Sequence, residues 1–184
     1  MKVIKGIFVF LFLLVVLAAG TLFLPAKTHV QRSVLIQATP QQVFSYLNDY
    51  RRFNEWSPWF QRDPNTQFEF SGSETGVGSR MQWSSDHDQV GKGVQTIIVS
   101  EPYSYLKVQL EFGGGEPSEA DFIVSEAMGG TEVVWAFHMT HGWNPISRVL
   151  GLMMDGWVGP DYEMGLANLK RVAEASVPDK APNP

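Results

Sequence analysis

The sequence predicts an α+β fold: a curved antiparallel sheet covering a long C-terminal helix, two short helices after the first strand, and one transmembrane helix ahead of them all. Three observations predict it. Residues 6–24 form an uncharged run of 19, of which 16 are apolar. Residues 67–140 alternate apolar and polar side chains with the period of a half-buried strand, interrupted by glycine-containing turns. The last forty residues return to apolar positions three and four apart, the spacing of a helix with one buried face.

As a helix, the run 6–24 would be about 28 Å long at about 1.5 Å per residue, close to the ~30 Å of a bilayer's hydrocarbon core. A cleaved signal peptide is the rival reading. The small cluster Ala18-Ala19-Gly20 is followed by Thr21-Leu22-Phe23-Leu24, so the apolar run passes through the only cleavage-like site, which favours an uncleaved anchor. No cysteine follows for a lipid attachment. Lys2 and Lys5 precede the run, while Lys27 and Arg32 follow it. The small bias places the N-terminus in the cytoplasm and the globular part on the periplasmic or extracellular side.

After the linker Pro25-Ala26-Lys27, residues 29–37 are rich in β-branched side chains and read as a strand. Thr39, Pro40 and Gln42 then supply a helix start: a capping hydroxyl, a first-turn proline and a capping-box partner. Val43, Phe44 and Leu47 give that helix an apolar face. Residues 50–55 read as a second short helix, which Trp56-Ser57-Pro58-Trp59 ends, because a residue before proline avoids helix. Strands follow at 67–71, 78–85, 89–100, 103–112, 118–126 and 131–140. Gly91 and Gly93 suggest a bulge in the third of these, and Gly113-Gly114-Gly115 a loop. Consecutive strands with short turns make an antiparallel meander with one apolar face. Asn144-Pro145 begins a helix over 146–157, Gly159-Pro160 interrupts it, and a further helix runs 161–175. The organisation is therefore anchor and linker at 1–27, one domain at 28–176, and a disordered tail at 177–184.

The chain has 184 residues, no cysteine, and a net charge of −5. Without cysteine there is no disulfide framework, thiolate metal site or cysteine nucleophile. The three lysines of the first 27 residues are the only charges there, so the remainder, with 11 basic and 19 acidic side chains, carries −8. An acidic domain without a basic stripe argues against nucleic acid as a partner. The triple glycine lacks the Gly-Lys-Ser/Thr ending of a phosphate loop, and no Gly-x-Ser-x-Gly elbow occurs. No cofactor is implied. His138 and His141 lack a third converging ligand, so no metal site is expected.

Between Val30 and Glu174 the chain resembles the START-like helix-grip superfamily, in its SRPBCC branch of polyketide cyclase/dehydrase-like proteins. The residues that carry the resemblance are Ala38-Thr39-Pro40-Gln41-Gln42-Val43-Phe44, Trp56-Ser57-Pro58-Trp59 and Gly76-Val77-Gly78. Further on come Trp83, Gly91-Lys92-Gly93, Glu101-Pro102, Gly130-Thr131-Glu132-Val133-Val134-Trp135, and Asp161 through Lys170. Their order and spacing are specific to the fold and not to a reaction. The resemblance implies a cavity between the sheet and the terminal helix.

The strand residues expected to line that cavity are Met81, Trp83, Leu106, Val108, Leu110, Phe122, Val124, Val133, Trp135, Phe137 and Met139. Leu152, Met153, Met154, Trp157 and Met164 would come from the covering helices, and Phe53, Trp56 and Trp59 from the mouth. The alternative is that these side chains simply pack a core. Trp56 and Trp59 either gate a pocket or staple the short helices to the sheet. The weak candidates for acid–base chemistry are His141 and Asp155. Alternation turns His138 and Arg80 outward, and His87 lies in a turn.

These residues favour a membrane-anchored binding module for an apolar small molecule or lipid. A cyclase or dehydratase acting on an apolar carbonyl compound is the first alternative. An interaction domain with a vestigial cavity is the second. Nothing in the pattern fixes an oligomeric state.

Overall fold

The computed structural model describes residues 2–113 and 117–176, with backbone alone at 2, 3, 14, 17 and 18. The tail expected over 177–184 lies outside the described residues, as does most of the triple-glycine loop.

Helix α1 spans Lys2–Gly20, and Thr21–Phe23 tightens into a 3-10 turn before Leu24 becomes extended. This corrects the expected membrane span at both ends, since the α-helix stops four residues before Leu24. Among the described residues, no helix is long and apolar enough to cross a membrane.

Strand β1 (Lys27–Ile36) leads into α2 (Pro40–Leu47). Thr39 caps α2 as expected: its hydroxyl accepts from the Gln42 N–H, and the Gln42 side chain accepts from the Thr39 N–H at 2.9 Å. A 3-10 turn at Tyr50–Glu55 is followed by α3 (Pro58–Arg62). Trp56-Ser57-Pro58-Trp59 ends the 50–55 turn as expected, with Trp56 as its C-cap, and also begins a further helix, because Ser57 acts as N-cap and Pro58 takes the first helical position.

Six strands then run as a meander: β2 (Gln67–Gly72), β3 (Ser79–Ser84), β4 (Lys92–Glu101), β5 (Tyr105–Glu111), β6 (Ser118–Ala127) and β7 (Gly130–Thr140). The sheet order is β1-β7-β6-β5-β4-β3-β2, all antiparallel, so the first strand returns beside the last. The bulge in β4 falls between Ile97 and Val99, not at the glycines. Gly93 serves close approach instead: a Cβ there would sit 2.5 Å from the Trp83 ring.

Helix α4 (Pro145–Gly151) is capped by the Asn144 side chain, which accepts from the Ile146 and Ser147 N–H groups. Helix α5 (Met154–Ala175) is continuous, with Pro160 inside it. The break therefore lies at Leu152–Met153 and not at Gly159-Pro160. Proline lacks one N–H and crowds the carbonyl four residues back. That residue is Gly156, whose surroundings are open.

Helix α5 packs chiefly along β1, burying Tyr162, Leu166, Leu169 and Ala173. The core joins them to Val30, Ile36, Val43, Phe44, Trp56, Leu106, Phe122, Val133 and Trp135. Because α5 lies over the β1 side, the inner face of β3 to β6 is left for α3 and the 3-10 turn to cover.

Candidate functional site

The uncovered part of that inner face is a cavity of about 270 Å³. Alternation on the sheet supplies Met81, Trp83, Gln95, Leu106, Val108, Leu110, Ala120, Phe122, Trp135 and Phe137. Leu47, Tyr50, Phe53, Trp56, Trp59 and Phe60 close it from the short helical segments, and Trp157, Val158, Asp161 and Tyr162 from α5.

Its floor is aromatic. Trp135 stacks on Tyr162 with centroids 3.7 Å apart, and on Phe122 at 5.0 Å. Trp56 meets Trp135 edge-on at 5.4 Å, and its indole N–H donates to the Tyr46 carbonyl. A Cβ on Gly165 would lie 2.8 Å from the Trp135 ring, so that glycine admits the stack beneath α5.

The few polar groups are specifically placed. The Tyr50 hydroxyl and the Trp135 indole N–H are buried without a hydrogen-bond partner. Gln95 is buried, and its amide N–H donates to the Met81 sulfur at 3.9 Å. Asp161 is bound by two donors: the Arg62 guanidinium in an ion pair and the Trp59 indole N–H at 3.1 Å. This latch joins α3 to α5. Burial pushes the Tyr50 and Tyr162 hydroxyls well above the ordinary tyrosine range, so both stay protonated.

Of the residues expected at the site, the structure brings Phe53, Trp56, Trp59, Met81, Trp83, Leu106, Val108, Leu110, Phe122, Trp135, Phe137 and Trp157 to the cavity wall. Phe53 and Trp56 are buried in its floor and not at its mouth. Val124 and Val133 pair with each other one step further from the mouth than Phe122 and Trp135. Met139 is half-buried beyond Phe137 and lies outside the lining. Leu152, Met153 and Met164 are exposed, and Met154 packs against the core. On α5 it is Trp157, Val158, Asp161 and Tyr162 that reach the cavity, while Met164 lies off the buried face of Tyr162, Leu166 and Leu169.

The two acid–base candidates are elsewhere. His141 lies below α4, its Nε2 2.6 Å from the Thr28 hydroxyl and its Nδ1 2.7 Å from the Ser147 hydroxyl. The Thr28 hydroxyl also donates to the Gly151 carbonyl, so it accepts from His141 Nε2–H; burial, and then the nearby Arg148, push the imidazole below its ordinary value. Asp155 is exposed and bonded to Arg32 at 2.9 Å, which holds its carboxyl below the usual range. His138 bonds Asp121 at 2.8 Å on the outer face. Among the described residues, no group of three metal-ligating side chains converges.

Leu47, Tyr50, Phe60, Phe68 and Gln95 also line the cavity and were not anticipated. Gln95 was legible: counting back two from Ile97 puts it on the inner face. Tyr50 and Phe60 depend on how the short helices dock, which no local pattern reports.

A family model described as polyketide cyclase / dehydrase and lipid transport matches residues 27–174. No curated protein matches the chain by sequence. A Staphylococcus aureus protein of unknown function has a similar structure with a TM-score of 0.62 at 12% identity, covering 82% of this chain and 95% of that one. A Rhodobacter sphaeroides protein aligns with a TM-score of 0.60 at 18% identity, over 82% and 94%. A Mycobacterium smegmatis protein aligns with a TM-score of 0.58 at 14% identity, over 82% and 93%. At these identities the likeness is one of fold, and that fold is the helix-grip arrangement of sheet and terminal helix.

Proposed function

The chain belongs to the polyketide cyclase/dehydrase and lipid-transport family, and from that premise we propose that it is a membrane-tethered binding module for an apolar small molecule or lipid. The observation that carries the reading is the cavity: about 270 Å³, walled by aromatic and aliphatic side chains, with unpartnered donors at Tyr50 and Trp135. Burying a ligand's apolar surface supplies about 25 cal/mol per Å². A ligand oxygen facing the Tyr50 hydroxyl or the Trp135 N–H would be oriented by groups that otherwise stay unsatisfied. The volume lies just under the ~300–1,000 Å³ of small-molecule pockets, which suits a small ligand or part of an acyl chain.

The tether is α1. Ile7, Phe8, Val9, Phe10, Leu11 and Phe12 are consecutive and all exposed, so its apolar surface runs around the whole circumference. Such a helix suits lipid better than water. A tethered pocket meets lipids at high effective concentration.

The cyclase/dehydratase alternative needs a proton-transfer group at the cavity. His141 and Asp155 do not line it, Asp161 is engaged by Arg62 and Trp59, and the two tyrosines are held protonated. Native mass spectrometry of the full chain after mild extraction tests the binding reading. A 1:1 adduct of an apolar compound is expected. A chain that carries none, and takes up none from mixed lipid extract, would end the proposal.

A further inference from the structure

The register of the sheet puts several features at one end. Lys27 pairs with Thr140, Leu110 with Ser118, Val94 with Glu111, and Ser84 with Lys92. The same end therefore holds the passage from α1 into β1, the β3–β4 turn, the end of β5 and the start of α4. The exposed members of the cavity wall, Gln89, Phe112 and Trp157, are also here. Ile36, Ala127 and Gly130 mark the opposite end.

At this end the surface is apolar. Trp143, Ile146, Leu150, Met153 and Trp157 are 82%, 70%, 44%, 49% and 50% exposed. Ile146 and Leu150, four apart, share one face of α4; Trp143 just before its cap, and Met153 and Trp157 across the break into α5, extend this exposed apolar stripe at both ends. From Gly142 to Met154 there is no carboxylate, and Arg148 is the single charge. That charge is already engaged. Its guanidinium donates to the Leu22 carbonyl at 2.7 Å, the Leu24 carbonyl at 3.1 Å and the Gly142 carbonyl at 2.7 Å. Arg148 thus clamps α4 to the chain leaving α1, and the His141 N–H adds a bond to the Ala26 carbonyl at 2.9 Å. The stripe is fastened to the foot of the apolar helix, beside the mouth of the cavity.

We infer that the Trp143–Trp157 stripe is a bilayer-contacting surface, seated at the boundary of headgroups and acyl chains, which sets the cavity mouth against the membrane. The inference rests on the reading of α1 as a tether and adds the orientation of the domain. A flexible linker would let the mouth point anywhere; a clamped foot with an apolar stripe permits one pose. An exposed tryptophan at the edge of such a stripe suits the membrane interface. A lipid surface is favoured over a protein partner because the stripe is continuous, through the Arg148 clamp, with the apolar circumference of α1.

The chain has no cysteine, so single nitroxide labels are introduced without removing any residue. Full-length chain is reconstituted in phosphatidylcholine/phosphatidylglycerol vesicles with a label at Ile146→Cys, Leu150→Cys, Met128→Cys or Phe8→Cys. Collision with oxygen, which concentrates in the bilayer, and with a water-soluble nickel chelate is measured for each. The expected result is high oxygen and severalfold lower nickel collision at 146 and 150 than at 128, on the far β6–β7 turn. Nickel collision at 146 and 150 equal to that at 128 overturns the inference. So does low collision with both reagents, which reports a protein interface such as a second copy. The Phe8 label separates the two readings. If it lies in the bilayer while 146 and 150 do not, the inference alone fails. If it is water-exposed, the tether reading fails and takes the inference with it.

Discussion

Gly165 and Gly159 show how single residues shape the site. A methyl group at 165 would press on the Trp135 ring, and one at 159 would collide with the Arg32 guanidinium at 2.1 Å. Gly165→Ala is therefore expected to cost about 1–3 kcal/mol through overpacking, read from the urea midpoint, despite alanine's better helix propensity. His141 makes a second prediction. Burial, and then the nearby Arg148, hold its imidazole below the ordinary value of 6.5. The unfolded chain takes up a proton that the folded chain refuses, so the stability is present above that value and falls as pH drops through it. Urea midpoints at about pH 7.5 and about pH 5.5 should differ less in His141→Gln than in the parent chain. An equal difference in both would refute the assignment. None of this was legible beforehand. Glycine contacts and a histidine's burial are properties of the packed chain, and His141 looked like a free acid–base group because Thr28 comes from the distant β1 and Ser147 reaches it only once α4 folds back.

Elements whose determinants are local were readable. Thr39, Pro40 and Gln42 specify the start of α2 within four residues, and Thr39→Ala should cost about 0.5–2 kcal/mol, measured by thermal or urea unfolding. Strand alternation placed Met81, Leu106, Val108, Phe122, Trp135 and Phe137 on the inner face for the same reason. The C-terminal helices were read less well. Gly159-Pro160 has the composition of a break, yet tertiary packing of Tyr162, Leu166 and Leu169 keeps α5 continuous through it. The latch between α3 and α5 is the element-scale feature most open to test. Asp161→Ala leaves the partly buried Arg62 without its carboxylate and the Trp59 N–H without its acceptor. A loss of about 1–3 kcal/mol is expected from the unpaired groups. A change indistinguishable from zero in the urea midpoint would show that the latch does not hold α3 in place.

Across the whole molecule, one end of the sheet carries the entry of α1, the apolar stripe and the cavity mouth, while the other end carries the start of α2, the C-terminal end of α5 and the β6–β7 turn. That polarity follows from topology: β1 and β7 are neighbours, so the chain enters and α4 departs side by side. Composition and motif order could announce a sheet with a covering helix. They could not announce which end would be apolar, because Trp143, Ile146 and Leu150 read equally well as core. The central claim is that the cavity holds an apolar ligand. The most direct measurement is the stoichiometry of a fluorescent fatty acid bound to the parent chain and to Ala120→Phe, which fills the cavity from β6, with thermal unfolding recorded for both. The account predicts saturable 1:1 binding to the parent, and at least a tenfold loss (about 1.4 kcal/mol) in a variant that still unfolds cooperatively. Equal binding to both proteins, or none to the parent, would contradict it.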